Sequence, residues 1–70
     1  MSTPVLSPIT GNIWKLEVED GATVAAGDEI LIMESMKMEI PVEAPVAGVC
    51  RFSVTEGANV QEGDLLATIG

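Results

Sequence analysis

Val18-Glu19-Asp20-Gly21-Ala22-Thr23-Val24-Ala25-Ala26-Gly27-Asp28 is written again, 36 residues later, as Val54-Thr55-Glu56-Gly57-Ala58-Asn59-Val60-Gln61-Glu62-Gly63-Asp64. Valine, glycine, alanine, valine, glycine and aspartate recur in step, and Asp20 is answered by Glu56. Working outward at the same spacing, Leu16 meets Phe52, Lys15 meets Arg51, Trp14 meets Cys50 and Met33 meets Ile69. After one extra residue near Asn12, Gly11 and Pro8 fall on Gly48 and Pro45. Two copies are too few for a solenoid. The repeat therefore predicts one pseudo-two-fold domain with interlocked halves, spanning residues 1–70. The first unit ends near Glu34 and the second begins near Ala44.

Each half has the pattern of short strands separated by turns. Trp14, Leu16 and Val18 alternate with Lys15, Glu17 and Glu19, and Cys50, Phe52 and Val54 alternate with Arg51, Ser53 and Thr55. A period of two marks a half-buried strand. Ile30–Met33 and Leu65–Ile69 are apolar runs of strand length, and residues 38–44 alternate once more. Asp20-Gly21, Gly27-Asp28, Glu56-Gly57 and Gly63-Asp64 punctuate these runs as turns. No segment sustains a helical period. Strands this closely spaced predict an all-β sandwich or flattened barrel. Pro41, which cannot donate to a ladder, assigns its strand to an edge. Trp14 and Cys50, matched by the repeat, are both expected in the core.

Composition removes several classes of function. Among 70 residues there is one cysteine and no histidine, so common Cys/His zinc spacings and Ser-His or Cys-His nucleophile pairs are absent. Eleven acidic residues against three basic ones, a net charge of −8, argue against electrostatic binding to nucleic acid or an anionic membrane. A 47% hydrophobic content argues against disorder, and one Trp and one Phe leave the core to aliphatic side chains. Residues 1–6 carry no basic residue and no long apolar run, unlike a signal peptide. The expectation is a cytoplasmic protein; the initial Met1 favours a free-standing subunit, and a fragment cut from a larger chain would look the same.

Lys37 stands between two methionines in Glu34-Ser35-Met36-Lys37-Met38-Glu39, and the chain has only one other lysine, Lys15. Strands at roughly 30–34 and 38–43 must reverse direction here, which places Ser35, Met36 and Lys37 at a hairpin tip. Without glycine, a type I-like turn is expected. The tip faces solvent, away from both chain ends. Exposed methionines beside a lone amine gain no evident packing, so they fit recognition by a partner. Met33, matched to Ile69, belongs to the core.

The stretch ESMKMEI resembles the attachment motif of the biotinyl domain, the biotin carboxyl carrier family. The likeness extends through Ser7-Pro8, Gly11, Val24–Asp28, Ala44-Pro45-Val46-Ala47-Gly48, Glu56-Gly57 and Val60–Leu66. GNIWK and ESMKMEIP look most like the free-standing biotin/lipoyl attachment proteins. The resemblance implies a flattened β-barrel (a barrel-sandwich hybrid) of two four-stranded antiparallel sheets, with Lys37 on an exposed turn. It also implies covalent biotin in amide linkage to Lys37, with Met36 and Met38 recognised by a biotin protein ligase. A biotin carboxylase would then load the carried group and a carboxyltransferase unload it, as the non-catalytic carrier of an acyl-CoA (acetyl-CoA) carboxylase. Free lysine ionises near about 10.4, so the ligase must supply the base. Ser35 stands where alanine is more usual, an exchange expected to be harmless. The halves match within one residue, leaving no room for the protruding thumb of some relatives.

A lipoyl carrier shares the fold and the modified lysine, but lipoyl domains typically have an acidic residue before the lysine and alanine after it. An unmodified barrel-type interaction module would tolerate replacement of Lys37. A Schiff-base enzyme would need a buried amine in an apolar pocket, which a hairpin tip does not offer.

Overall fold

A computed structural model describes residues 2–70, and eight strands run through them. They are β1 (Thr3–Leu6), β2 (Gly11–Leu16), β3 (Thr23–Val24), β4 (Glu29–Ser35), β5 (Met38–Glu43), β6 (Gly48–Phe52), β7 (Asn59–Val60) and β8 (Leu65–Ile69). Two antiparallel four-stranded sheets result, ordered β1-β8-β6-β3 and β5-β4-β2-β7. Exchanging β1 with β5, β2 with β6, β3 with β7 and β4 with β8 turns one order into the other. This is the all-β, pseudo-two-fold architecture that the repeat predicts.

The halves interlock because each sheet borrows strands from both repeats. β7 of the second repeat pairs with β2 of the first, and β3 of the first with β6 of the second. The bonds that stitch them come in matched sets. The Ile13 N–H donates to Ala58 O at 2.8 Å and the Gly57 N–H to Ile13 O at 2.7 Å. Cys50 N–H donates to Ala22 O at 2.8 Å and Gly21 N–H to Cys50 O at 2.7 Å. Cys50 is therefore the counterpart of Ile13, not of Trp14.

That equivalence corrects the alignment. The spacing of 37 persists to Ile13, and the extra residue is Trp14, where the β2–β4 register shifts between Ile13 and Lys15. A bulge leaves its extra residue outside the ladder. Trp14 is accordingly 47% exposed, contrary to its expected place in the core, whereas Cys50 is fully buried as expected. The alternation inferred for residues 14–18 shifts accordingly: β2 starts at Gly11 and stops at Leu16.

The second repeat also starts earlier than Ala44. Ser7 N–H donates to Asp64 O and receives Gly63 N–H at its carbonyl, both at 2.8 Å. Ala44 makes the same two bonds with Asp28 and Gly27, also at 2.8 Å. Continuing backwards, Val5 matches Val42, both buried, and Pro4 matches Pro41. The two prolines lie on β1 and β5, each at the edge of its sheet, as Pro41 alone had indicated. Proline at an edge removes a donor that a foreign strand could pair with.

Between the sheets lies an aliphatic core whose fully buried members include Ile13, Ile30, Leu31, Met33, Leu66 and Ile69. Each such side chain contributes roughly 1.5–3 kcal/mol on leaving water. Met33 pairs with Ile13 on the neighbouring strand as Ile69 pairs with Cys50, so the core obeys the same two-fold relation. This rigid body, 32 × 19 × 18 Å, carries the hairpin between β4 and β5.

Candidate functional site

β4 and β5 pair without a break from Leu31↔Val42 to Ser35↔Met38, after a register shift between Glu29 and Leu31, so only Met36 and Lys37 remain in the turn. Both lie in the left-handed region, Met36 at φ 52° and Lys37 at φ 64°. Two successive positive φ values define a type I′ turn, the geometry that matches strand twist in a two-residue hairpin. The type I-like turn expected from the lack of glycine is thus overturned: strand pairing on both sides sets the hand of the turn. For side-chain-bearing residues this conformation costs about 1–2 kcal/mol each. A long ladder and anchoring at the hairpin base hold it.

The anchoring comes from the β1–β2 connection. Ser35 Oγ donates to the carbonyl of Thr10 at 2.8 Å. Next to it, a β-carbon on Gly11 would fall 2.5 Å from Glu34 O and 3.1 Å from Ser35 Cβ. Only glycine allows the loop to lie this close to the hairpin. A groove of about 460 Å³ runs alongside, lined by Thr10, Asn12, Ser35, Met36, Asn59 and Gln61 among others.

Lys37 is exposed, and among the described residues the one ion pair joins Lys15 to Glu17 at 4.0 Å, leaving the Lys37 amine outside any. Met36 is 89% exposed and Met38 63%, so the flanking thioethers and the amine share one solvent-facing tip. Met33, three residues before Met36, is fully buried, and Ser7 Oγ, which donates to Ile9 O at 2.6 Å, lies 3.3 Å from its Sδ. Lys37, Met36 and Met38, consecutive in sequence, all lie at the exposed tip of this hairpin. The anchor Ser35 and the close contact at Gly11 escaped the sequence reading. Both depend on contacts between segments some 25 residues apart, which no local pattern encodes.

A protruding, unencumbered amine suits a covalent prosthetic group delivered by an outside enzyme. Among the described residues no cluster of metal-ligating side chains lies nearby.

Comparison with known proteins agrees with this geometry. A family model described as "Biotin-requiring enzyme" matches residues 1–69. The "Biotinylated protein TB7.3 homolog" of Mycobacterium leprae is 43% identical over 70 residues, 99% of each chain. The "Biotin/lipoyl attachment protein" of Bacillus subtilis is 44% identical over 59 residues, covering 83% of this chain and 81% of that protein. The crystal structure of the Kluyveromyces lactis urea carboxylase superimposes with a TM-score of 0.92 at 35% identity. It takes in all of this chain, which spans 6% of that enzyme's length. The chain belongs to the biotin/lipoyl attachment family, as a small carrier domain rather than a catalytic unit.

Proposed function

We propose that this domain carries biotin in amide linkage to Lys37 Nζ and serves as carboxyl carrier of a biotin-dependent carboxylase. The observation that carries the reading is the Met36-Lys37-Met38 tip, with both thioethers exposed around an unpaired amine. A near-full-length relative bearing the name "Biotinylated protein" supports biotin as the group. Biotin supplies a ring nitrogen able to hold and release a carboxyl group.

The chain's own residues do the rest. Lys37 presents the nucleophilic nitrogen, and a biotin protein ligase removes its proton and orients it. Met36 and Met38 offer the ligase an apolar contact that a bare loop lysine lacks. The six-pair ladder from Glu29 to Ser35 keeps the tip from collapsing onto the barrel. Tethering then raises the local concentration of the carried group at a biotin carboxylase and at a carboxyltransferase. We extend the proposal to an acyl-CoA acceptor, acetyl-CoA first.

The test is incubation with ATP, biotin and a competent ligase, followed by intact mass and streptavidin blotting. One biotin on the parent protein and none on Lys37→Ala is expected. Label on Lys15, or no label at all, overturns the assignment. The name of the Bacillus subtilis relative, which gives both groups, supports lipoyl as a second reading. Mass analysis after exposure to a lipoyl ligase distinguishes the two groups. Supplying the loaded carrier to carboxyltransferases with acetyl-CoA, propionyl-CoA, urea or pyruvate identifies the acceptor.

A further inference from the structure

The methionines described by the structure divide sharply. Met36 and Met38 are 89% and 63% exposed on either side of Lys37, whereas Met33 is fully enclosed in the core. A thioether reacts with peroxide-class oxidants in proportion to its access, and the product is a polar, chiral sulfoxide that cells reduce back. Among the described methionines, the fold thus places accessible sulfur at the tip and shields the sulfur on which the core depends.

We propose that Met36 and Met38 form an oxidant-sensitive modification site that switches loading of Lys37 off and on. The step balances simply. A sulfur lone pair attacks one peroxide oxygen, the O–O bond breaks, and the second oxygen leaves as water after proton transfer. Sulfur is oxidised by two electrons and the peroxide is reduced by two. The new S=O dipole must then shed water to enter an apolar contact on the ligase. A polar group of that kind buried without a partner weakens binding roughly tenfold, and loading below saturation slows with it. Met33 is spared, since it is fully enclosed in the barrel, with the Ser7 hydroxyl packed 3.3 Å from its Sδ. The inference rests on the reading of Lys37 as the loaded residue.

The experiment treats unmodified protein with hydrogen peroxide, maps the oxidised residues by peptide mass spectrometry, and measures the initial rate of biotin loading. Oxygen is expected on Met36 first and Met38 next, with Met33 unchanged. The loading rate should fall about tenfold and return after treatment with methionine sulfoxide reductases A and B. In the Met36→Leu, Met38→Leu double variant the ratio of treated to untreated rates should be near one, whatever its starting rate. Full loading of protein mapped as oxidised at both residues overturns the switch and leaves the carrier function intact, and so does Met33 oxidising as fast as Met36. Failure of untreated protein to load overturns the carrier reading itself, and the switch with it.

Discussion

The hydroxyl of Ser35 donates to the carbonyl of Thr10 at 2.8 Å, tying the last residue of β4 to the loop that opens β2. Alanine would fill the same space and lose the tie. An exposed neutral hydrogen bond contributes about 0.5–1 kcal/mol, so Ser35→Ala should lower the unfolding free energy read from urea titration by that amount and load nearly as fast as the parent. Gly11→Ala, one residue beyond Thr10, is the harsher change. Its β-carbon would meet Glu34 O at 2.5 Å. Overpacking of this kind costs about 1–3 kcal/mol. Moving the hairpin base should also slow loading. A harmless Gly11→Ala would mean that the loop does not brace the hairpin.

The strain at the tip gives a second expectation. Lys37 sits at φ 64°, where glycine pays no steric penalty. Lys37→Ala should leave stability nearly unchanged, because alanine meets the same β-carbon clash. Lys37→Gly should be more stable than Lys37→Ala by about 1 kcal/mol, read from thermal or urea unfolding. Equal stabilities would show that the turn relaxes out of the left-handed region once lysine is gone.

Trp14 supplies a third. It is 47% exposed at the β2 bulge, so its fluorescence should be quenched by acrylamide in the native state. Trp14→Ser should cost well under the about 3–5 kcal/mol expected of a core tryptophan. A blue-shifted, unquenchable emission would return Trp14 to the interior and the repeat to its uncorrected alignment.

Trp14 also marks where the sequence stops being legible. The repeat is visible because β4 and β8, and the glycine turns at Gly21 and Gly57, fill equivalent places in two halves of one barrel. Their burial demands the same residue types twice. A bulge breaks the equivalence by a single residue, and the match between the halves absorbs that residue anywhere between Gly11 and Leu16. The paired bonds of Ile13 and Cys50, with the register shift between Ile13 and Lys15, assign it. β3 and β7, two residues each, are too short to carry a period, and β1 holds a proline in four residues. At the site, the motif reveals Lys37 and its methionines directly. The left-handed turn was hidden because its cause is the twist of two long strands, while the turn residues themselves disfavour it.

Like charges along the hairpin make a fourth prediction. Glu34 faces Glu39 across β4 and β5, and Glu29 faces Glu43. Directly opposed like charges destabilise a sheet by roughly 0.2–1 kcal/mol. Glu39→Thr should therefore stabilise the domain by about 0.5 kcal/mol. Added salt should raise the melting temperature of the parent more than that of the variant, since screening relieves a repulsion the variant lacks. An equal salt response would remove the pair from the account of the hairpin.

Cys50 fixes the direction of alkaline instability. Burial pushes its thiol up, and the Asp20 carboxylate acts in the same direction. Above the ordinary thiol value of about 8.5 the unfolded chain loses this proton while the native chain keeps it. The native state then binds more protons than the unfolded one, so stability falls as pH rises. Its contribution is complete below the unfolded value and declines as pH climbs towards the raised one. Cys50→Ala should cost about 1 kcal/mol at neutral pH through the cavity it leaves, yet lose less between about pH 8 and pH 9.5. Urea midpoints for both proteins across that range provide the check. Native Cys50 should react with iodoacetamide no faster than the barrel opens, because the thiolate and the reagent are both excluded by the same packing. Parallel pH profiles, together with rapid alkylation under native conditions, would place the sulfur in contact with solvent and remove it from the core pair it forms with Ile69.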